Sequence, residues 1–165
     1  IMPMTYEPIA TTTLTTATAS VTFSTISGTY TDLVMVASIT GVSAATDPWI
    51  RLNSDTGTNY SWTWFSGNGS SASSERGTNN SKLYYSAIST IQNNVQQVIW
   101  NFMNYSNTTT NKTILWREAD AATETGATVG LWRSTSAITS IEISLDSSRT
   151  YSAGCTFTLY GIKAA

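Results

Sequence analysis

Residues 138–145, Ile138-Thr139-Ser140-Ile141-Glu142-Ile143-Ser144-Leu145, set apolar Ile141, Ile143 and Leu145 in strict alternation with polar neighbours. A period of two puts one set of side chains on one face of a pleated strand, so this segment reads as a strand with one buried and one wet face. Residues 33–37, Leu33-Val34-Met35-Val36-Ala37, are apolar on both faces and read as a central strand, covered above and below. Working outward, Val21 and Phe23 alternate with Thr22 and Ser24, and further strand candidates lie at 83–88, 95–105, 112–117, 129–132 and 157–162.

Residues 49–53, the turn 54–58 and residues 59–65 read as strand, turn, strand, the clearest hairpin in the chain, with Asp55 and Gly57 supplying the turn chemistry. After it, 67–81 is a polar Gly/Ser stretch with no large apolar anchor and reads as a long loop. The acidic, Ala-rich 118–126 reads as a loop between strands. At the front, Tyr6, Pro8 and Ile9 beside a Thr run read as an extended arm or edge strand, since Pro8 has no N–H for a ladder. Eight to ten short strands and no credible helix predict an all-β, two-sheet antiparallel β-sandwich, jelly-roll-like, with an extended N-terminal arm. The expected division is an arm at 1–14 and one sandwich domain at 15–165.

Composition agrees. Ser and Thr make up about a third of the 165 residues, while charged residues reach only 11%. β-Branched side chains lose rotamers on a helix and pack well on a sheet. With a net charge of −2 and no basic run, the chain lacks the cationic stripe that nucleic acid or an anionic membrane would need. No apolar stretch reaches membrane-spanning length, and the N-terminal residues lack a signal peptide's basic start and apolar core, so a soluble, unprocessed product is expected. The single Cys155, in an alternating apolar run, reads as a small buried hydrophobe.

The chain has no histidine, which removes Ser-His-Asp triads, Cys-His pairs and His-based zinc sites. Glu118 with Asp120 or Glu124 leaves a carboxylate pair of the kind a glycosidase uses, but in a loop such acids are ordinarily just solvated. Asn53, Asp55 and Asn59 offer oxygen ligands to calcium, yet without the acidic ligands and closing Glu of a calcium loop the turn reading is preferred. No catalytic residue, cofactor or metal is therefore expected. Of the six tryptophans, Trp62 and Trp64 stand two apart on a strand and face the same way. They form either a stacking platform for a sugar ring or part of a core or subunit contact.

The closing run Ser152-Ala153-Gly154-Cys155-Thr156-Phe157-Thr158-Leu159-Tyr160-Gly161-Ile162-Lys163 resembles the C-terminal signature of a group of structural proteins of tailed bacteriophages, common in marine and cyanobacterial phages. Tyr6-Glu7-Pro8-Ile9, Tyr30-Thr31-Asp32-Leu33, Arg51-Leu52-Asn53-Ser54-Asp55, and Asn104-Tyr105-Ser106 before Asn111-Lys112-Thr113 are similar to the same group, in the same order. Cys155 stands where Ser or Thr is expected. The resemblance implies a non-enzymatic virion protein, with no catalytic residues to carry over. The first expectation is a capsid decoration or cement protein bound to the major capsid protein shell or other virion proteins. It would act through the arm residues Met4, Tyr6, Pro8 and Ile9, as a homo-oligomer, preferably a trimer. The alternative is a tail or fibre component that binds a host-surface glycan or receptor through Trp62 and Trp64.

Overall fold

The computed structural model describes residues 5–84, 96–120, 123–146 and 148–163. Among them lie twelve strands, β1 (Tyr6–Thr13), β2 (Ser20–Phe23), β3 (Asp32–Ile39), β4 (Pro48–Leu52), β5 (Tyr60–Gly67), β6 (Ala72–Asn80), β7 (Leu83–Tyr84), β8 (Gln96–Phe102), β9 (Lys112–Asp120), β10 (Glu124–Trp132), β11 (Ile141–Leu145) and β12 (Thr156–Ile162). They form an eight-stranded sheet, ordered β1-β12-β3-β8-β9-β10-β5-β6, and a four-stranded sheet, ordered β2-β11-β4-β7. Every pairing is antiparallel. The protein is an all-β two-sheet sandwich, as the alternation predicts. No helix among the described residues is long and apolar enough to cross a membrane.

The two sheets share one core. The large sheet contributes Leu33, Met35, Trp100, Phe102, Ile114, Trp116, Phe157 and Leu159, and the small sheet Val21, Phe23, Ile50, Leu52, Ile141 and Ile143. β3 lies between β12 and β8, the central place its two apolar faces require. Cys155 is fully buried, and its Sγ accepts a hydrogen bond from the Thr40 amide at 3.3 Å.

Four expectations about local structure change. The boundary at residue 14 does not set an arm apart. From Tyr6 onward the chain pairs along β12, Tyr6 opposite Ile162 and Thr13 opposite Thr156, as the edge of the large sheet. The Thr run favours this because Thr11 and Thr13 hydroxyls bond those of Thr158 and Thr156 across the ladder. A register shift between Pro8 and Ala10 absorbs Ile9, which packs on the core. Of the four proposed arm contacts, Tyr6 and Pro8 are exposed, Ile9 is half-buried, and Met4 lies outside the described residues.

The supposed hairpin at 49–65 is a crossing between sheets. β4 pairs with β11 and β7, whereas β5 pairs with β10 and β6. Asn53 and Ser54 both take left-handed backbone (φ 50° and 55°), turning the chain out of one sheet. Asn53 Oδ1 then accepts from the amides of Thr139 and Ser140 at 2.8 and 3.1 Å, holding the corner against the approach to β11.

Residues 67–81 are mostly strand. A tight turn built on Asn68, whose Oδ1 accepts from the amides of Ser70 and Ser71 at 2.9 and 2.8 Å, sends the chain back as β6 along β5. Gly69 in that turn has φ +84°, a value that glycine adopts without cost. Likewise 118–126 is not an open loop: β9 runs to Asp120 and β10 begins at Glu124. The strand candidate at 83–88 survives as the two-residue β7, with 85–88 outside the described residues.

Candidate functional site

Trp62 and Trp64 do face the same way, toward the interior side of the large sheet. Their environments differ. Trp62 is buried, with its indole lying over Gly77 of β6, where a Cβ would stand 2.4 Å from Trp62 Cε2. Tyr84 of β7 meets it edge-on, ring centroids 6.2 Å apart at 76°. Trp64, one pleat further toward the strand end, is half-buried.

Here the edges of the two sheets, β6 and β7, stand apart. The opening is a cleft of about 230 Å³ lined by Trp62, Trp64, Tyr84, Asp47 and Glu75. Asp47 comes from the residue before β4, and Glu75 lies opposite Trp64 across the β5–β6 ladder. Both carboxylates are exposed. Trp62 Nε1 is buried beneath Gly77 of β6, with no acceptor among the described residues. Flat apolar faces beside carboxylates suit a sugar, whose C–H faces stack on aromatics while its hydroxyls donate to the acids. The volume fits the end of a glycan better than a long stretch of it.

The choice between core and platform for the pair is thus divided between its members, Trp62 serving as core and wall and Trp64 as the accessible ring. Sequence reasoning missed Asp47, Glu75 and Tyr84. The Asn68-Gly69 dipeptide was the available signal for β6 and hence for Glu75 opposite Trp64.

The carboxylates singled out as a glycosidase pair are not solvated. Glu118 and Asp120 are 2% and 5% exposed on the interior face of β9, with Glu124 of β10 opposite Asp120. Glu124 accepts a hydrogen bond from Ser66 Oγ on β5. Nearby on the same face, Gln96 Oε1 and Thr128 Oγ1 are buried without hydrogen-bond partners among the described residues. Among the described residues no cluster of three or more His, Cys, Asp or Glu has the geometry to hold a metal ion.

The Asn53, Asp55, Asn59 set is architectural. Asp55 Oδ2 accepts from Trp132 Nε1 at 2.7 Å and Asn59 Nδ2 at 2.9 Å, and Oδ1 accepts from the Gly57 amide at 2.8 Å. Burial pushes the Asp55 pKa up, but the bonds from Trp132, Asn59 and Gly57 outweigh it, and the carboxyl is held below its ordinary 3.8. Beside it, the fully buried Tyr60 stacks on Trp132 at 6.3 Å and 13°, and its hydroxyl donates to Leu52 O at 3.2 Å while accepting from Leu52 N at 3.1 Å. Burial pushes the Tyr60 phenol far above its usual range. The Asn53 and Asp55 side-chain oxygens offered to calcium already accept hydrogen bonds that fasten the β4–β5 connection.

A second surface lies on the outward face of the large sheet. Phe65 of β5 and Val129 of β10 are 64% and 49% exposed, and with Leu115 of β9 they line a shallow apolar groove of about 350 Å³. Arg117 borders this groove, and Arg76 lies opposite Thr63 on the same face.

No family model and no curated protein matches the chain. Among solved structures it is similar to the galectin LEC-6 of Caenorhabditis elegans, at 12% identity over 93% of this chain and 96% of that one with a TM-score of 0.44, and to a scytalido-glutamic peptidase solved with a peptide-based transition state analog, at 11% identity over 92% of this chain and 66% of that one with a TM-score of 0.28.

Proposed function

We propose that this chain is a non-enzymatic protein of a bacteriophage particle that binds a host-surface glycan in the cleft between β6 and β7. The observation that carries the binding reading is the cleft itself: an accessible Trp64, a Tyr84 wall and two exposed carboxylates converge on one small opening. Placement in a virion rests on the near-full-length sequence resemblance to phage structural proteins.

Trp64 is the clean probe, because it is half-buried whereas Trp62 supports the core. Trp64→Ala is expected to cost about 2 kcal/mol of binding, roughly thirtyfold in Kd. The melting temperature should shift far less than in a Trp62 variant. A glycan array probed with the native protein and with Trp64→Ala measures the difference. A native protein that binds no glycan on the array overturns the reading.

The exposed Phe65–Val129 groove favours a second reading, a capsid decoration protein seated as a homo-oligomer, for preference a trimer, on the major capsid protein. Apolar side chains this exposed are typical of surfaces covered in an assembly. On this reading, particles assembled with Phe65→Lys should carry fewer than a tenth of the usual copies per virion, counted by quantitative mass spectrometry, while the free protein stays folded. Native copies confined to the tail, a handful per particle, would rule it out.

A further inference from the structure

The glycan cleft is electrically one-sided. Its acidic lining residues are Asp47 and Glu75, and neither takes part in an ion pair among the described residues. The basic groups of the small-sheet side already have carboxylate partners. Lys82 Nζ is bound to Asp146 at 2.5 Å and sits over the rings of Trp49 and Tyr84, 5.0 Å from each centroid. Arg51 is paired with Glu142 at 3.5 Å and stacked over Trp49 at 4.6 Å. Arg76 follows Glu75 directly on β6, so the pleat turns it to the opposite face. Residues 85–95, outside the described set, contain no charged side chain, so they add no countercharge.

From this we infer the charge of the ligand, an inference that rests on the glycan reading above: the cleft takes a terminal amino sugar most tightly, a neutral sugar less so, and a sugar bearing a carboxylate most weakly. A ring stacked on Trp64 sits between Glu75 on β6 and Asp47 on the facing sheet. An ammonium on that ring is attracted from both walls, and it keeps its N–H donors satisfied by carboxylate oxygens. A sialic or uronic acid there meets two like charges, and the cation at the cleft wall, Lys82 over the Tyr84 ring, is already paired with Asp146. A neutral sugar keeps the stacking on Trp64 and can donate its hydroxyls to the same carboxylates, so uncharged sugars still bind. Because both acids are exposed, the preference is screened by salt.

The test uses an array of matched triplets. Glucosamine, galactosamine and mannosamine termini are presented as the free amine, as the N-acetyl derivative and as the corresponding uronic acid, so that hydroxyl stereochemistry is held constant within each triplet. The protein is the full chain, native, Trp64→Ala, and the double variant Asp47→Asn with Glu75→Gln. In at least one triplet the native protein should bind the amine about fivefold tighter than the N-acetyl form and the uronate about tenfold weaker than it. Raising salt to about 0.5 M should compress the series. The double variant, with both carboxylates replaced by isosteric amides, should lose the preference for the amine and gain affinity for the uronate. Native binding of uronates equal to or better than their neutral partners, still abolished by Trp64→Ala, overturns the charge inference and leaves the glycan reading standing. Signals no higher than the Trp64→Ala background in every triplet overturn both.

Discussion

Asp55→Ala is expected to destabilise the fold by about 3 kcal/mol, read as a shift in the denaturant midpoint at unchanged slope. Three N–H donors lose their acceptor at once. The Trp132 indole is the costliest, since it is almost fully buried and stacked on Tyr60, where water does not readily replace the carboxylate. Asn59 and Gly57 lie in the turn, which loosens with them. Asp55→Asn keeps an acceptor but loses the charge, and about half the penalty is expected.

The same carboxyl sets a pH dependence. Its folded pKa lies below the unfolded value near 3.8, so its stabilisation is fully present above that value and is lost as pH falls through the folded pKa. Native protein should therefore weaken more steeply than Asp55→Ala as pH falls below about 4. Parallel stability curves for the two proteins across that window would contradict the assignment.

Gly77→Ala should cost about 2 kcal/mol, as overpacking, and disable the cleft as well. The added methyl would stand 2.4 to 2.6 Å from Trp62 Cε2, Cζ2 and Nε1, closer than any atom tolerates, so the indole must leave its seat. Moving it breaks the edge-on contact with Tyr84 and shifts the wall against which a ligand would lie. The expected signature is a lower melting temperature together with altered near-ultraviolet circular dichroism from the tryptophans. An alanine variant with native spectrum and stability would mean that the β5–β6 edge yields freely.

Legibility of the fold followed the physics of each face. β3 and β11 announce themselves because one or both faces must be apolar, and the parity of Trp62 and Trp64 follows from the pleat alone. β6 was invisible for the opposite reason. At the sheet edge with most side chains exposed, it needs no hydrophobic alternation, and Ser, Asn, Glu and Arg fill it. The separation of β4 from β5 was equally hidden, since it is decided by partners distant in sequence: Ile141 lies opposite Leu52 of β4, while Trp132 of β10 lies opposite Tyr60 of β5. The cleft inherits both gaps. Its aromatics could be nominated from spacing, but Asp47, Glu75 and Tyr84 join them only once β6 and β7 are placed at neighbouring edges of different sheets.

The pairing of β1 with β12 also dictates an order of events while the chain is being synthesised. β12 fills the gap between β1 and β3, so β1 has no neighbour, and β3 only β8, until residues 156–162 have left the ribosome. Until then the apolar Leu33–Ala37 segment of β3 presents an open backbone edge, a template for pairing with any other nascent copy. The Thr-rich, bulged β1 is a poor substitute partner for itself. Yield in a host cell should therefore depend on how quickly β12 arrives and on chaperones that guard β3 in the meantime.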